Sequence, residues 1–306
     1  MTDFALLAAA CDWQPGYRQR LIEAYRPTGL EGPAADELAA TTMEHSGGWR
    51  AAAILDEDGH RIAPGRPRPD RAARQLHRPD RRTVDRPRHD AQGNHRRAAH
   101  AWARRWCAER GAGQVVVRLA APDEIFAHYP VRGQTRIKAM TAPPTPPAGV
   151  TYRPMTAAEY PAWLAAGEQR YLADMVRAGS HTPEQASKKA EEDYRTLLPQ
   201  GVATPDNTLL VLQADGEPIG NGWLRHGHLP EVTYGYSLVV HPQFRGRGHG
   251  RSAMAIGEQV TWDVGDRVVR FNVFGGNEVA MSVYTAVGYR VVEETRSRGL
   301  AAGVDG

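Results

Sequence analysis

Two cysteines, Cys11 and Cys107, are all that 306 residues carry, too few for a disulfide framework and in keeping with a reducing cytoplasm. Long apolar runs are missing too. Nothing approaches the roughly 18 residues that cross a bilayer, and the opening MTDFALLAAAC has neither a basic start nor a secretory cleavage site. No membrane association is expected. Aromatic residues are absent from the most basic stretch, residues 61 to 97, which holds twelve Arg against four Asp. With no ring to stack on a base, that stretch makes a poor nucleic-acid arm. Its net +8, taken from the chain's +3, leaves −5 for the remainder, so the basic balance of the whole says little about the partners of the rest. What is present is the composition of a globular protein, 41% hydrophobic and long enough for two domains that each bury a core.

Four prolines in TAPPTPPAG, residues 141 to 149, exclude helix and favour an extended spacer. A domain boundary is expected there, giving a domain over 1–140, a linker over 141–149 and a second domain over 150–306 that carries the motifs described below and folds without the first. In the second domain Thr156 with Glu159, and Thr182 with Gln185, have the spacing of a capping box, and Pro183 stands at a first helical position. Two helices are predicted, the second ending near Leu198. TLLVLQADGEPIGNGWL predicts two strands joined at Asp215-Gly216, and EVTYGYSLVV, residues 231 to 240, a third. A helix from about Gly250 to Val264 would place Ala253, Ile256, Gly257 and Val260 on one face. RVVRFNVF reads as a strand, NEVAMSVYTAV as a helix and YRVVEE as a strand. The order is helix, helix, three strands, helix, strand, helix, strand: an α/β (α+β) fold.

The first domain repeats fragments of this order. LDEDGHRI mirrors LQADGEPI; Gly59 to Gly93 spans 34 positions where Gly216 to Gly248 spans 32; Gly111 to Asp123 and Gly265 to Asn277 each span 12. Landmarks repeated half a chain apart predict two tandem copies, the first incomplete. Residues 61–92 break the repeat, with Arg and Pro where the second copy has alternating strands. Two readings stay open: a solvated, disordered insert, which trypsin would cut first between Arg61 and Arg97, or an out-of-frame stretch of a GC-rich coding sequence.

The chemistry concentrates in HPQFRGRGHGRSAM, residues 241 to 254. Arg245, Gly248 and Gly250 form R-x-x-G-x-G between a strand end and a helix start, where backbone N–H groups have no partner of their own. Glycine removes the Cβ atoms that would keep a phosphate at a distance, the helix dipole favours an anion, and Arg245, Arg247 and Arg251 add positive charge. Further on, Asn277 and Tyr284 stand seven apart. Taken singly, Asn277 reads equally as a helix cap, Tyr284 as a core tyrosine beside Ala280 and Val287, and Arg247 and Arg251 as solvated charge.

With both motifs in this order and context, residues 150 to 298 resemble the GCN5-related N-acetyltransferase (GNAT) superfamily. The family's pyrophosphate loop, Q/R-x-x-G-x-G/A, matches Arg245 to Gly250. Its second signature, a strand, an Asn, a short helix with Tyr and an aromatic after glycine, matches FNVFGGNEVAMSVYTAVGY. The resemblance implies a mixed, mainly antiparallel central sheet flanked by helices, acetyl-CoA as donor without a metal, and direct transfer to a primary amine in a ternary complex. It implies that Leu238, Val239 and Val240 pair with pantetheine along a splayed strand. Loop amides of Arg245, Gly246, Arg247, Gly248, His249, Gly250 and Arg251 would hold the pyrophosphate, Asn277 would support the cofactor arm, and Tyr284 would protonate the departing thiolate. An amine with a pKa of about 10 must lose a proton before it attacks. Glu231, at the start of the splayed strand, is the first candidate base, followed by Glu168 and Tyr171.

Aligning Gly93 with Gly248 sets DAQGNH against the loop, with Asp90 for the arginine and His95 for the last glycine. An acid there repels pyrophosphate. Asp123 and Tyr129, six apart, stand where the Asn and Tyr pair would be. The first domain reads as a degenerate copy that supports the second by packing or shapes the acceptor cleft. The expected function is acetyl transfer to an amine of a small molecule or peptide, and a homodimer is compatible with it. The alternatives are a non-catalytic acyl-CoA-binding or regulatory module and a nucleic-acid-associated protein using the arginines. Intact Asn277 and Tyr284 favour the enzyme.

Overall fold

The computed structural model describes residues 3–6, 14–44, 52–55, 88–120, 122–145 and 148–300. In chain order its elements begin with β1 (Asp3–Leu6), α1 (Gln14–Tyr25), α2 (Gly32–Glu44), β2 (Ala52–Leu55), α3 (Arg88–Ala108), β3 (Gln114–Leu119), β4 (Val131–Ala139) and β5 (Val150–Pro154). They continue with α4 (Tyr160–Arg177), α5 (Pro183–Leu197), β6 (Asn207–Ala214), β7 (Glu217–Leu229), β8 (Val232–Val240), α6 (His249–Asp263), β9 (Val268–Phe274), α7 (Glu278–Ala286) and β10 (Arg290–Gly299). The chain divides into two compact units, one comprising residues 1–17, 46–115 and 299–306 and the other residues 18–45 and 116–298.

In the smaller unit β1 and β2 pair antiparallel, Asp3 opposite Leu55 and Leu6 opposite Ala52. Phe4 stacks on Trp102 of α3 with ring centroids 5.2 Å apart. Residues 61–87 of the Arg and Pro stretch lie outside the described residues, whereas 88–92 open α3. DAQGNH is therefore helix, and the expected counterpart of the phosphate loop is corrected. From the second turn on, a helical run closes its N–H groups onto carbonyls four residues back, so Gly93 and its neighbours Gln92 and Asn94 offer no open amides to a phosphate.

The larger unit is built on an eight-stranded sheet, order β3-β10-β4-β9-β8-β7-β6-β5. The pairs β10–β4, β4–β9, β8–β7, β7–β6 and β6–β5 run antiparallel, and β8–β9 runs parallel. Alternation along β6 explains its continuous apolar run: Leu209 and Val211 join a core with Trp163, Tyr194 and Trp223, while Leu210 and Leu212 join Ala253, Ile256 and Val260 of α6. The sheet is thus covered on both faces, by α4 and α5 on one and α6 on the other. Each fully buried leucine contributes about 1.5–3 kcal/mol.

Local signals were sound guides here. Asp215 and Gly216 have φ of 51° and 80°, the double left-handed turn that suits a two-residue hairpin. Thr182 accepts from the Gln185 amide while the Gln185 side chain accepts from the Thr182 amide, a complete capping box. At the other predicted box Glu159 Oε2 accepts from the Thr156 amide and hydroxyl, so only one arm of the box forms and α4 starts at Tyr160.

The expected boundary at 141–149 is corrected by β4. This strand precedes the prolines yet lies between β9 and β10: Gly133 to Ala139 face Phe274 to Val268 on one side, and Val131 to Ile137 face Arg296 to Arg290 on the other. The proline segment joins two strands of one sheet. Prolines mark chain that cannot enter a ladder or helix; they do not say whether the flanking strands belong apart. A fragment from residue 150 onward would leave β9 and β10 each without β4 as a hydrogen-bonded neighbour.

Candidate active site

β8 and β9 share a ladder only where Val232–Gly235 oppose Val268–Phe271. Beyond it the two strands part, β8 staying with β7 and β9 with β4. The cause is local. Trp223 faces Ser237 and Leu224 faces Gly235, so Tyr236 is an extra residue on β8, a bulge that bends the strand. Leu238, Val239 and Val240 keep Gly222, Asn221 and Gly220 as partners on one edge and, among the described residues, have no strand on the other. That free edge can take an amide-bearing ligand as an added strand would be taken.

A cleft with about 550 Å³ of empty space, part of it open to solvent, lies at the parting. Tyr236, Ser237 and Leu238 of β8, Phe271 and Asn272 of β9, Ala253, Met254 and Gly257 of α6, and Tyr284 and Tyr289 contribute to its lining. Among the described residues its lining includes no carboxylate.

At the end of β8 the chain turns through Pro242–Phe244 into α6. Gly246 and Gly248 have φ of 77° and 86°, and a Cβ added to either would stand in open space. Gly248 caps α6 without a side-chain acceptor. Among the described residues the N–H groups of Gly246, Arg247, Gly248, His249 and Gly250 donate to no backbone acceptor, and the next amides, of Arg251 and Ser252, bond to the Gly248 carbonyl. Five open donors at a helix start suit an anion of phosphate size, and a side chain at either glycine would occupy the space it needs. Arg245 is turned toward the strand, its Nε donating to the Val240 carbonyl at 3.0 Å, and Arg247 lies 5.9 Å from the Phe244 ring. Arg251 is exposed on the first turn of α6.

Tyr284 reaches the cleft from α7, its ring 4.6 Å from Phe271 and 6.4 Å from Tyr289 between centroids. Burial raises its phenol pKa, Arg136 opposes the rise, and Asp174 adds to it. The group is a neutral phenol at pH 7, able to give a proton. Asn277 is the cap of α7, its Oδ1 accepting from the Ala280 amide at 3.3 Å, and it is not part of the cleft lining. By fixing the start of α7 it fixes Tyr284 two turns on.

The three base candidates lie elsewhere. Glu231 is exposed at the tip of the β7–β8 hairpin with φ of 59°, its carbonyl accepting from the amides of Arg267 and Val268. At about 3.3 Å per residue it stands roughly 16 Å along the strand from Tyr236, and it is not part of the cleft lining. Tyr171 donates to Asp193 Oδ2 at 2.8 Å, and burial, then that bond, drives its pKa up, the wrong direction for a base. Glu168 does not line the cleft. Sequence reasoning missed Tyr236, Asn272 and Tyr289. Only Tyr289 had a signal, the aromatic after glycine; a bulge such as that at Tyr236 is set by pairing and leaves no mark in composition. Among the described residues no group of three or more His, Cys, Asp or Glu stands ready for a metal, and no helix is long and apolar enough to cross a membrane.

Comparison with known proteins agrees with this geometry. Residues 173–289 match the acetyltransferase (GNAT) family. The chain is similar to the uncharacterized N-acetyltransferase YycN of Bacillus subtilis, 27% identical over 151 residues that cover 48% of this chain and 96% of that protein. It is also similar to the mycothiol acetyltransferase of Kytococcus sedentarius, 30% identical over 47% of this chain and 46% of that one, so it matches about half the length of that relative. A crystal structure of a GCN5-related N-acetyltransferase from Sphaerobacter thermophilus aligns over 99% of this chain and 97% of its own with a TM-score of 0.52 at 17% identity, a likeness of fold. Residues 173–289 form an acetyltransferase domain of the GNAT superfamily, and the enzyme class is acyltransferase.

Proposed function

We propose that the chain is an acetyl-CoA-dependent N-acetyltransferase that passes an acetyl group directly to a primary amine of a small molecule or peptide. One observation supports this above the rest: the free edge of Leu238–Val240 runs straight into the open donors of Gly246–Gly250. A ligand with amides along an arm and an anion at its end meets both in order, and acetyl-CoA, with pantetheine followed by pyrophosphate, is such a ligand. In the proposed step the amine nitrogen attacks the thioester carbon and the C–S bond breaks. Sulfur takes the proton of Tyr284. The proton lost by the amine goes to water, since among the described residues no carboxylate lines the cleft, and water returns a proton to the Tyr284 tyrosinate.

The same reading takes the chain as two tandem copies, the first incomplete. The strand order supports it: β3 and β4 precede the prolines, β9 and β10 follow them, and the sheet alternates them as β3-β10-β4-β9. Each half thereby sets its last strand between the last two of the other. A reducing cytoplasm fits Cys107, which forms no disulfide among the described residues.

The test is a panel of amines, including aminoglycosides, polyamines, amino acids and peptides, assayed for free CoA release, with calorimetry of acetyl-CoA binding alongside. Release with at least one amine class is expected. Acetyl-CoA binding with no release from any amine would point to a binding module, and absence of binding would end the acetyltransferase reading.

A further inference from the structure

We infer that Arg136, on a strand that precedes the proline segment, is a positioning residue for Tyr284: it grips the end of α7 and holds a buried positive charge at that end of the helix. The inference rests on the proposed role of Tyr284 as proton donor.

Arg136 is only 5% exposed. Its Nη1 donates to Thr285 Oγ1 at 2.7 Å and to the Tyr289 carbonyl at 3.5 Å. Its Nε and Nη2 donate to Gln134 Oε1 at 3.1 and 2.8 Å, which holds the plane of the guanidinium. Both targets of Nη1 bear on Tyr284. Thr285 is the next residue, and its hydroxyl donates onward to the Met281 carbonyl at 3.0 Å, one turn back in α7. Tyr289 donates its amide to the Tyr284 carbonyl at 2.9 Å. Arg136 thus holds the residue after Tyr284 and the residue that holds Tyr284's own carbonyl.

Its charge has few neighbours to cancel it. All four of its hydrogen bonds end on neutral oxygens. Burying a cation without a carboxylate partner is costly, and an apolar side chain could brace α7 at less cost. The carboxylate that acts on it at longer range, Glu294 of β10, is itself engaged by Gln134 at 2.7 Å and by Arg296. Around Tyr284 the charged and titratable groups are Arg136 from β4, Asp174 from α4 and Tyr289 beyond α7. Asp174 is paired with Arg177 at 2.8 Å. Burial and Asp174 hold the phenol proton on, and Arg136 is the group that eases it off. When the proton passes to the departing sulfur, the tyrosinate left behind is favoured by a guanidinium that stays charged at any working pH.

The experiment compares full-length wild type, Arg136→Met, Arg136→Lys, Thr285→Val and Tyr284→Phe. Acetyl-CoA affinity is followed by calorimetry, turnover by CoA release with the best amine of the panel, and the Tyr284 ionisation by ultraviolet titration, with Tyr284→Phe as the blank. Arg136→Met should move the Tyr284 titration to higher pH by about one pH unit or more and lower kcat by about ten-fold, with acetyl-CoA affinity within about two-fold. Arg136→Lys, which keeps the charge, should restore the titration toward wild type. Thr285→Val should lower kcat without moving the titration, because it removes the grip and leaves the charge. A folded Arg136→Met with an unmoved titration would overturn the inference. So would a Thr285→Val variant with wild-type kcat, a result that stands even if Arg136→Met does not fold. If Tyr284→Phe itself has wild-type kinetics, the proton-donor reading fails first; if it is impaired while Arg136→Met matches wild type, only the role of Arg136 falls.

Discussion

Two glycine-bearing stretches, DAQGNH at residues 90–95 and RGRGHG at 245–250, look related when aligned on Gly93 and Gly248, and they have opposite fates. The first is the opening of a 21-residue helix. The second leaves five consecutive amides open ahead of α6. Position supplies part of the difference, since β8 delivers the chain to the second stretch and the bulge at Tyr236 frees its edge. Sequence supplies the rest. Gly246 and Gly248 both adopt positive φ, which stops a helix from starting early, whereas one glycine among DAQ and NHRR only weakens a helix. An anion cradle therefore requires interrupted helix formation, and a glycine alone is no evidence of one.

The harshest way to break this comparison is to remove the first half, because an inert partner would not be missed. A chain beginning at Val150 keeps every loop residue and loses β4, the hydrogen-bonded neighbour of both β9 and β10. It also loses Lys138, whose Nζ lies 2.8 Å from both oxygens of the buried Glu258 of α6. The truncation thus removes a strand from the sheet together with the partner of a core carboxylate, and a domain's net stability is only about 5–15 kcal/mol. Such a fragment should be insoluble or molten by circular dichroism and should not bind acetyl-CoA. A folded fragment that binds as the full chain does would show that the halves are separable after all.

Next in size is the loop itself. Gly248→Trp should lower acetyl-CoA affinity by about a hundred-fold, roughly 2.7 kcal/mol, since the added side chain enters open space where the phosphate would lie. Calorimetry should find one site per chain. Two equivalent sites would mean that a second cradle exists and that the contrast between the stretches is false. Tyr284→Phe should follow with a fall in kcat of about ten-fold or more and little change in acetyl-CoA affinity. Equal kinetics would return Tyr284 to the core, beside Phe271 and Tyr289.

The order of elements from α4 to β10 was legible because of local marks: the Thr182 box, the Asp215-Gly216 turn and the two glycines before α6; β5, which has no such mark, was not read. The loop was legible for the same reason. Glu231 misled because a strand start says nothing about which end of the strand meets a cleft. β4 misled more seriously. GQTRIKA drew no reading, since which strands it joins is set by pairing 129 to 165 residues away in sequence, and the prolines that follow it resemble a boundary. Arg136 and Lys138 were invisible as contributors for that reason, although their burial beside α6 and α7 is the tie between the two halves of the sequence.

The smallest effect sharpens the comparison most, because a single substitution should change sign between the two stretches. Gly93→Ala replaces the residue of lowest helix propensity after proline within α3 and should stabilise the protein by about 0.5–1 kcal/mol. Gly248→Ala has room for its methyl group, with no atom within 4 Å, yet φ is 86° there. The left-handed conformation should cost an alanine about 1–2 kcal/mol, and relief of that strain would let α6 begin earlier and consume the open amides. Thermal unfolding of the two variants should therefore shift in opposite directions, and Gly248→Ala alone should weaken acetyl-CoA binding. If Gly93→Ala destabilises the protein as well, residue 93 is held in a glycine conformation, and the first stretch is closer to a phosphate loop than its helix implies.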